Sequence, residues 1–508
     1  MTATARTAYD DLMKRVKKIQ LLASAGGVLH WDMETYMPDG GAGHRSEQVS
    51  LISGMVHEMF TAPEIGQLLA KVEASDLVSD PLSDEAVNVR ELRREYERQV
   101  KVPNELVEEL SRITARAHII WRDARKNADF EAFRPILEEI VHLVQQKADA
   151  IGTGETRYDT LMDGYESGMT SREMAEVFKA LGDELSPFVE RIVTSGRTPD
   201  RSIWARDYPK DSQHLLGQLL ISRIGFSLRD GRVDTTTHPF CTGLGPGDTR
   251  VTTRYNERNL SDSLFGMLHE AGHGMYDQGL DPDHYGTPRG ESVSLGIHES
   301  QSRMWENIVG RSRPFWEYAF PLAQGFFPGS LGSVALDDLY WAVNDVQRSF
   351  IRVEADEATY NLHVLLRFEL EQAIIGGDLP VEDIPGAWND RMRQLLQTTP
   401  PDDAQGCLQD VHWSGGMFGY FPTYTLGNLY AAQFFEQAGK DIGDLDDMFR
   451  RGEFSPLLQW LRENIHLHGM RYRASDLVKK VTGRPLSHAP LTNHLRRKLG
   501  PLYGIPCV

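Results

Sequence analysis

Apolar residues recur at helical spacing through most of the chain, and this pattern predicts a succession of amphipathic helices. The first eight are predicted over residues 9–22, 45–60, 62–74, 83–100, 104–126, 130–151, 171–193 and 212–224. Later ones are predicted over 336–376, with a break near Asp356, and over 429–437, 456–465 and 474–481. An aromatic, turn-rich segment at 29–41 is expected to separate the first two helices. Since the sequence shows no fixed-period repeat and no long Pro/Ser-rich linker, it favours one helical domain over residues 1–508.

The pattern changes between residues 224 and 255. Residues 226–228 and 232–237 carry alternating and β-branched side chains, residues 243–247 form a glycine-rich turn, and residues 248–255 alternate like a strand. This stretch predicts a small antiparallel sheet just before the next helix.

That next helix, predicted from Ser261 to Gly279, contains His269-Glu270-x-x-His273. The two histidines are four residues apart, so they project from one helical face and can hold one metal ion. Glu270 lies beside the first histidine, where a carboxylate can act as a general base. The pattern is typical of zinc peptidases. The alternative is a buried helix whose histidines only bond to backbone. The inward face should consist of Leu264, Leu268, Ala271 and Met275.

Two histidines are too few for a catalytic zinc, which usually takes three protein ligands. The next helical stretch, following a strand-like run at residues 292–296, offers His298 and Glu299 as candidates for the third ligand. Spacing alone leaves both open. A third histidine shortly after His273 is absent, because Gly279 is followed by Leu280, Asp281 and Pro282.

Composition narrows the class of protein. A formal charge of −19, from 54 basic and 73 acidic residues, argues against nucleic acid or an anionic membrane as the main partner. Cys241, Cys407 and Cys507 are widely spread and lack zinc-finger spacing, as expected in a reducing cytoplasm. We find neither a signal peptide nor an apolar run of the ~20 residues that a membrane span needs. A cytoplasmic location is therefore expected.

Six motifs together resemble the carboxypeptidase Taq family of metallocarboxypeptidases, along essentially the full length. In order, they are His238-Pro239-Phe240, Asp248-x-Arg250-x-Thr252, His269-Glu270-x-x-His273, His298-Glu299-Ser300-Gln301, Ile351-Arg352-x-x-Ala355-Asp356 and Gly406-x-x-Gln409-Asp410-x-His412-Trp413. By this resemblance, His269, His273 and Glu299 are the metal ligands and Glu270 is the base. It also implies a mainly α, deep-grooved fold similar to neurolysin and angiotensin-converting enzyme, usually assembled as a homodimer.

The activity that the resemblance implies is removal of single C-terminal residues from peptides, with broad preference and poor tolerance of C-terminal proline. Zn²⁺ is the expected cofactor, with Co²⁺ as the alternative. The N-terminal helices are a candidate lid over the groove. The nearest alternative is an oligopeptidase or dipeptidyl carboxypeptidase of the neurolysin type, and a more distant one is a non-catalytic helical metal-binding protein.

Chemical reasoning adds candidates for contacts with the peptide. A developing oxyanion needs a fixed donor, for which Tyr420 is the first choice, followed by Tyr424 and His412. A free C-terminal carboxylate is best matched by a guanidinium. Arg352, expected within a helix, is the first candidate, with Arg250 in reserve. The alternative for Arg352 is an ion pair with Glu354 or Asp356. We further expect His238 to line the peptide site, and Asp277 or Asp356 to orient a ligand histidine.

Overall fold

The computed structural model describes residues 2–506, and it is mainly helical with one small sheet. The helices are α1 (Thr2–Thr35), α2 (Ala42–Thr61), α3 (Pro63–Glu73), α4 (Asp84–Val100), α5 (Asn104–Asn127), α6 (Phe130–Ile151), α7 (Arg157–Met162), α8 (Ser171–Val193), α9 (Lys210–Ile224), α10 (Leu260–Asp277), α11 (Leu295–Arg303), α12 (Arg313–Phe326), α13 (Pro328–Leu331), α14 (Leu336–Val343), α15 (Tyr360–Gly376), α16 (Ile384–Leu396), α17 (Pro422–Ile442), α18 (Leu445–Arg450), α19 (Ser455–Asn464), α20 (Ala474–Thr482) and α21 (Ala489–Tyr503). The predicted fold class, a mainly α protein with a small sheet, is confirmed.

The chain forms two compact units, each built from separated segments. The first unit comprises residues 1–100, 200–343 and 434–483, and the second comprises residues 101–199, 344–433 and 484–508. The first unit therefore contains the sheet and α10, whereas the second contains α5–α8 and α15. Each unit is thus assembled from segments that are far apart in the sequence.

The N-terminal helix of the first unit is longer than predicted. α1 continues through His30 and Trp31 to Thr35, so the expected interruption at 29–41 is wrong for its first part, and only the residues after Thr35 turn. Tertiary packing explains the continuation, because Gly27 in α1 lies against the Leu244 side chain of the sheet. The Trp31 ring is covered by the guanidinium groups of Arg232 and Arg250, at 5.0 and 4.3 Å from the ring centroid.

The sheet has three strands, β1 (Gly231–Thr235), β2 (Cys241–Gly245) and β3 (Asp248–Thr253), in the order β1-β3-β2. β2 and β3 pair antiparallel, but β1 pairs parallel with β3, so the sheet is mixed rather than antiparallel as predicted. β2 overlaps the predicted glycine-rich turn, and residues 226–228 form no strand. The link between β1 and β2 crosses the end of β3. Thr252 N–H donates to Phe240 O at 2.9 Å and Phe240 N–H donates to Thr252 Oγ1 at 2.8 Å. The Thr252 hydroxyl also donates to Phe240 O at 3.1 Å, so hydrogen bonds between Phe240 and Thr252 join two of the sequence motifs.

α15 is the central helix of the second unit, and it is buried on almost every side. The long helix predicted over residues 336–376 is interrupted more widely than expected, since α14 ends at Val343 and α15 begins at Tyr360. Within the gap, Arg352 begins a short 3₁₀ turn rather than lying in a helix. Asp356 stabilises the restart by accepting hydrogen bonds from the backbone N–H groups of Gln347 and Thr359.

Two further expectations can be compared with the structure. Among residues 2–506, no helix combines the length and apolar content that crossing a bilayer requires. Cys241 and Cys407 are free thiols, while Cys507 lies outside the described residues.

Candidate metal centre and arginine–tyrosine cluster

α10 carries the two predicted histidine ligands on one face. Its apolar residues face inward as predicted, with Leu264, Leu268, Ala271 and Met275 at most 2% exposed. The helix is capped two residues earlier than predicted, because Asn259 rather than Ser261 is its N-cap and accepts a hydrogen bond from the Ser261 N–H. His269 and His273 therefore come from a rigid, buried helix, with ring centroids 4.9 Å apart.

Glu299 on α11 completes a cluster with these histidines. Its Oε2 lies 3.3 Å from His273 Nε2 and 3.7 Å from His269 Nε2. All three candidate ligand atoms lie within 4.8 Å of one another. A tetrahedral zinc with bonds of 2.0–2.1 Å separates its ligand atoms by about 3.4 Å, so the cluster fits such an ion. The structure thus places Glu299, rather than His298, beside both histidine Nε2 atoms.

Gly272 permits the close approach of α10 and α11. A Cβ built on Gly272 would lie 2.6 Å from Ser302 Cα and 2.7 Å from Gln301 O. Any larger residue at position 272 would push the two helices apart. The glycine within the His-Glu-x-x-His sequence is therefore a packing requirement for bringing Glu299 to the histidines.

The second nitrogen of each histidine ring is held by another side chain. His269 Nδ1 lies 2.9 Å from Glu306 Oε2, and His273 Nδ1 lies 2.6 Å from His298 Nδ1. His298 Nε2 in turn lies 3.0 Å from Asp277 Oδ1. These contacts fix both rings with Nε2 towards Glu299, the arrangement expected of metal-binding histidines.

Asp277 thus acts one step further from the centre than predicted, through His298, and Asp356 instead belongs to the loop before α15. Glu306 was missed. It follows Glu299 by seven residues, a spacing that could have suggested a shared helical face. The intervening backbone passes from α11 into a π-helical turn, Met304–Val309, which frequently marks functional sites.

Arg303 sets the electrostatics of the acidic residues. Its Nε donates to Glu299 Oε1 at 2.6 Å and its Nη1 donates to Glu306 Oε2 at 3.3 Å. Desolvation acts to raise the pKa of Glu299, but Arg303 and His269 hold that pKa well below its usual range. Glu299 is therefore an anion, with Oε2 directed at the histidines. Burial raises the pKa of Glu270, which is 7% exposed, to about 7.

Arg250 and His238 lie at the sheet of the first unit. Arg250 Nε and Nη2 donate to the two carboxylate oxygens of Asp248, each at 2.8 Å, and its guanidinium stacks on Trp31. Asp248 thus binds the Nε–Nη2 edge of Arg250. His238 is exposed in the link between β1 and β2.

The second unit contains a separate cluster around Arg352, which is 4% exposed. Its Nε and Nη2 donate to Asp410 Oδ1 at 3.2 and 2.8 Å, and its Nη1 donates to the Tyr360 hydroxyl at 2.7 Å. The alternative considered for Arg352, an ion pair with Glu354 or Asp356, is therefore wrong, because its partner lies 58 residues later in the chain. The tertiary fold, and not the local sequence spacing, therefore determines the ion-pair partner of Arg352.

Arg367 shares the Asp410 carboxylate with Arg352. Arg367 Nε donates to Asp410 Oδ2 at 2.7 Å, and the Arg367 side chain is fully buried. Desolvation opposes the charge on Asp410, but the two guanidinium groups hold its pKa well below its usual range. Two buried cations thus share one buried anion, which leaves one positive charge in excess among these three groups. Such an excess favours an anionic ligand.

The predicted donors Tyr420, Tyr424 and His412 all lie beside this cluster in the second unit. The His412 ring centroid is 5.4 Å from that of Tyr420 and 6.4 Å from that of Tyr424, and the Arg352 guanidinium stacks on Tyr424 at 4.8 Å. Burial lowers the pKa of His412 to about 4, so the ring is neutral near pH 7. Arg352 and the three predicted donors therefore form one group in this unit, whereas Arg250 and His238 lie in the first unit.

Comparison with known proteins covers nearly the whole chain. A family model described as carboxypeptidase Taq (M32) metallopeptidase matches residues 11–499. Thermostable carboxypeptidase 1 of Thermus thermophilus is 48% identical over 511 residues, covering 99% of this chain and 100% of that protein. Carboxypeptidase 1 of Bacillus subtilis is 37% identical over 98% of this chain and 99% of its own. The crystal structure of an M32 carboxypeptidase from Deinococcus radiodurans R1 matches with a TM-score of 0.95 and 38% identity, covering 98% of this chain and 100% of that one.

Proposed function

The chain belongs to the carboxypeptidase Taq (M32) family of metallopeptidases, and from this we propose that it is a metal-dependent carboxypeptidase that removes single residues from the C-terminus of peptides. The observation that carries the proposal is the convergence of His269, His273 and Glu299, with their ligand atoms within 4.8 Å of one another. Broad preference, with poor activity on C-terminal proline, is part of the same proposal.

We propose that His269 and His273 bind the metal through Nε2 and that Glu299 binds it through Oε2. Two imidazole nitrogens and one carboxylate form a donor set of the kind that catalytic zinc sites use, and Co²⁺ is the alternative ion. With Nε2 of His273 as a ligand atom, Nδ1 carries the proton and donates to His298, which then donates to Asp277. The bound ion supplies Lewis-acid polarisation of a carbonyl and of water.

Glu270 is proposed as the general base. It is buried beside His269 on the same helix, and its carboxylate can take a proton from the attacking water and return it to the leaving amine. The helix that carries the two histidines also carries Glu270, so no loop is needed to position its carboxylate.

Arg352 is proposed to bind the substrate's C-terminal carboxylate. A guanidinium carries five N–H donors, and the contacts with Asp410 and Tyr360 use three of them. One N–H on Nη1 and one on Nη2 complete the outer edge, which suits bidentate binding of a carboxylate. Arg250 is the second candidate, because Asp248 balances its charge one to one, whereas Arg352 and Arg367 share a single carboxylate.

Tyr420 is proposed as the hydroxyl donor to the developing oxyanion, with Tyr424 and His412 as the next candidates and His238 as a further peptide contact. Loss of such a donor typically lowers turnover by ~10²–10³. We also propose a homodimer in the cytoplasm, with the N-terminal helices as a lid. Light scattering of the purified protein tests the dimer.

Mass spectrometry of one peptide with a free C-terminus, and of the same peptide with a C-terminal amide, tests the activity. We expect a ladder of products that differ by single residues from the free peptide, and no ladder from the amide. Release of dipeptides, or internal cleavage that ignores the amide, would contradict the proposal.

A further inference from the structure

Glu371 is a fully buried carboxylate in α15 that belongs to none of the motifs found in the sequence. Three donors from two segments of the second unit converge on it. Trp413 Nε1 donates to Oε1 at 2.9 Å, while the Tyr158 hydroxyl and the Gly419 N–H donate to Oε2, each at 3.0 Å. Such a set of three donors suits an ionised carboxylate, which only accepts.

Two of these donors belong to the glycine–aromatic loop, residues 412–421, which carries His412 and Tyr420. α15 holds this loop near both of its ends. Arg367, one helical turn before Glu371, donates to Asp410 just before the loop, and Glu371 accepts from Trp413 and Gly419 within it. Two oppositely charged side chains on one face of a buried helix thus set the course of the loop.

The backbone at Gly419 is constrained both by its own conformation and by its neighbours. Gly419 has φ of 85°, and a Cβ built on it would lie 2.8 Å from Met162 N. The next residue, Tyr420, packs edge-on against Tyr165 with ring centroids 5.2 Å apart. Gly419, the residue before Tyr420, is therefore held between the end of α7 and the Glu371 carboxylate.

We propose that Glu371 is a positioning residue for catalysis, which acts through Gly419 and Trp413 to hold the Tyr420 side chain in its working orientation. The inference rests on the proposed function of Tyr420 as the oxyanion donor. Glu371 itself touches neither substrate nor metal in this account. Its effect should therefore appear in turnover and disappear when Tyr420 no longer has a hydroxyl to place.

The test is a double-mutant cycle of Glu371→Gln and Tyr420→Phe, with kcat and KM measured on an N-blocked dipeptide that has a free carboxylate. The glutamine keeps the shape but places an amide donor among three donors. We expect Glu371→Gln to lower kcat by about 10- to 100-fold with KM changed less than about threefold. The double variant should match Tyr420→Phe alone within about twofold.

Glu369→Gln is the matched control, because it makes the same change on the same helix at a partly exposed carboxylate that pairs with Arg391. It should leave kcat unchanged. Trp413→Phe removes a single donor and serves as a second route if Glu371→Gln does not fold. It should likewise lower kcat, and its loss should not add to that of Tyr420→Phe.

The outcomes separate the two proposals. If Tyr420→Phe is impaired but Glu371→Gln or Trp413→Phe keeps full kcat, or if the double variant loses the product of both single losses, the positioning role is wrong and the donor role stands. If Tyr420→Phe keeps full kcat, the oxyanion role fails, and the positioning role fails with it.

Discussion

Replacing Arg352 by alanine should remove recognition of the free C-terminal carboxylate while leaving the protein folded. Breaking a buried ion pair usually costs about 3–5 kcal/mol, because the remaining partner is left as an unpaired charge. Here Asp410 keeps its second partner, since Arg367 Nε donates to it at 2.7 Å. The free energy of unfolding should therefore fall by less than that range, and circular dichroism should show an unchanged helical spectrum.

The effect on substrate can be estimated from the two N–H groups at the outer edge of Arg352. Each hydrogen bond between charged groups contributes about 1.5–3 kcal/mol, so losing two should lower kcat/KM by about 10²- to 10⁴-fold. The assay compares one peptide as the acid and as the amide. In the wild type the acid should be strongly preferred, and in Arg352→Ala the ratio of the two kcat/KM values should approach one.

Arg250→Ala provides the comparison. Its guanidinium is held by Asp248 and Trp31, so we expect kcat/KM for the acid to change by less than about threefold. If Arg352→Ala retains the full acid-to-amide preference, Arg352 does not bind the C-terminal carboxylate. Loss of that preference in Arg250→Ala instead would transfer carboxylate binding to the sheet.

Three further predictions concern the buried acids. Glu270→Gln should retain bound metal and lose ~10²–10⁴ in turnover, as removal of a general base does, and undiminished turnover would contradict its role. Glu306→Gln, which weakens the contact 2.9 Å from His269 Nδ1, should raise the metal Kd by about 10- to 100-fold in competition with a chelating dye; an unchanged Kd would show that the contact does not matter. Burial raises the pKa of Glu371 from 4.5 to about 7, so between these pH values the folded protein binds more protons than the unfolded chain and loses stability as pH rises. The free energy of unfolding of Glu371→Gln, measured with urea relative to the wild type, should therefore rise by about 3 kcal/mol between pH 4.5 and pH 8. A difference that stays constant over this range would contradict the raised pKa of Glu371.

Local patterns predicted most of the helices well. The spans predicted for 130–151 and 171–193 are α6 and α8 as the structure has them, because long amphipathic periods with capping residues leave few alternatives. The inward face of α10 was also predictable, since a buried helix must place its apolar residues at 3.6-residue spacing. His269 and His273 then share a face by geometry alone.

Features set by distant parts of the chain could not be predicted in this way. α1 passes through its predicted break because the sheet packs against Gly27 and Trp31. Arg352 pairs with Asp410 rather than with its sequence neighbours, and β1 joins β3 in parallel because its link crosses the sheet end. The two units are likewise invisible in the sequence, since each collects segments from the beginning, middle and end of the chain.

The third candidate ligand, Glu299 rather than His298, could likewise be predicted only in part from local spacing. Spacing allowed either residue, and only the family resemblance favoured the glutamate. The structure brings Glu299 Oε2 to 3.3 Å from His273 Nε2, while His298 faces the opposite nitrogen of that ring. The backbone approach at Gly272 that permits this arrangement has no local signal beyond the glycine itself.

The proposal that His269, His273 and Glu299 bind a metal required for activity can be tested directly by mass-spectrometric metal analysis. Purified wild-type protein is measured beside Glu299→Ala. We expect about one equivalent of a divalent metal in the active wild type, loss of peptide hydrolysis when a chelator removes the metal, and little metal in the variant. Active wild-type protein that holds no metal and is indifferent to the chelator would contradict the account.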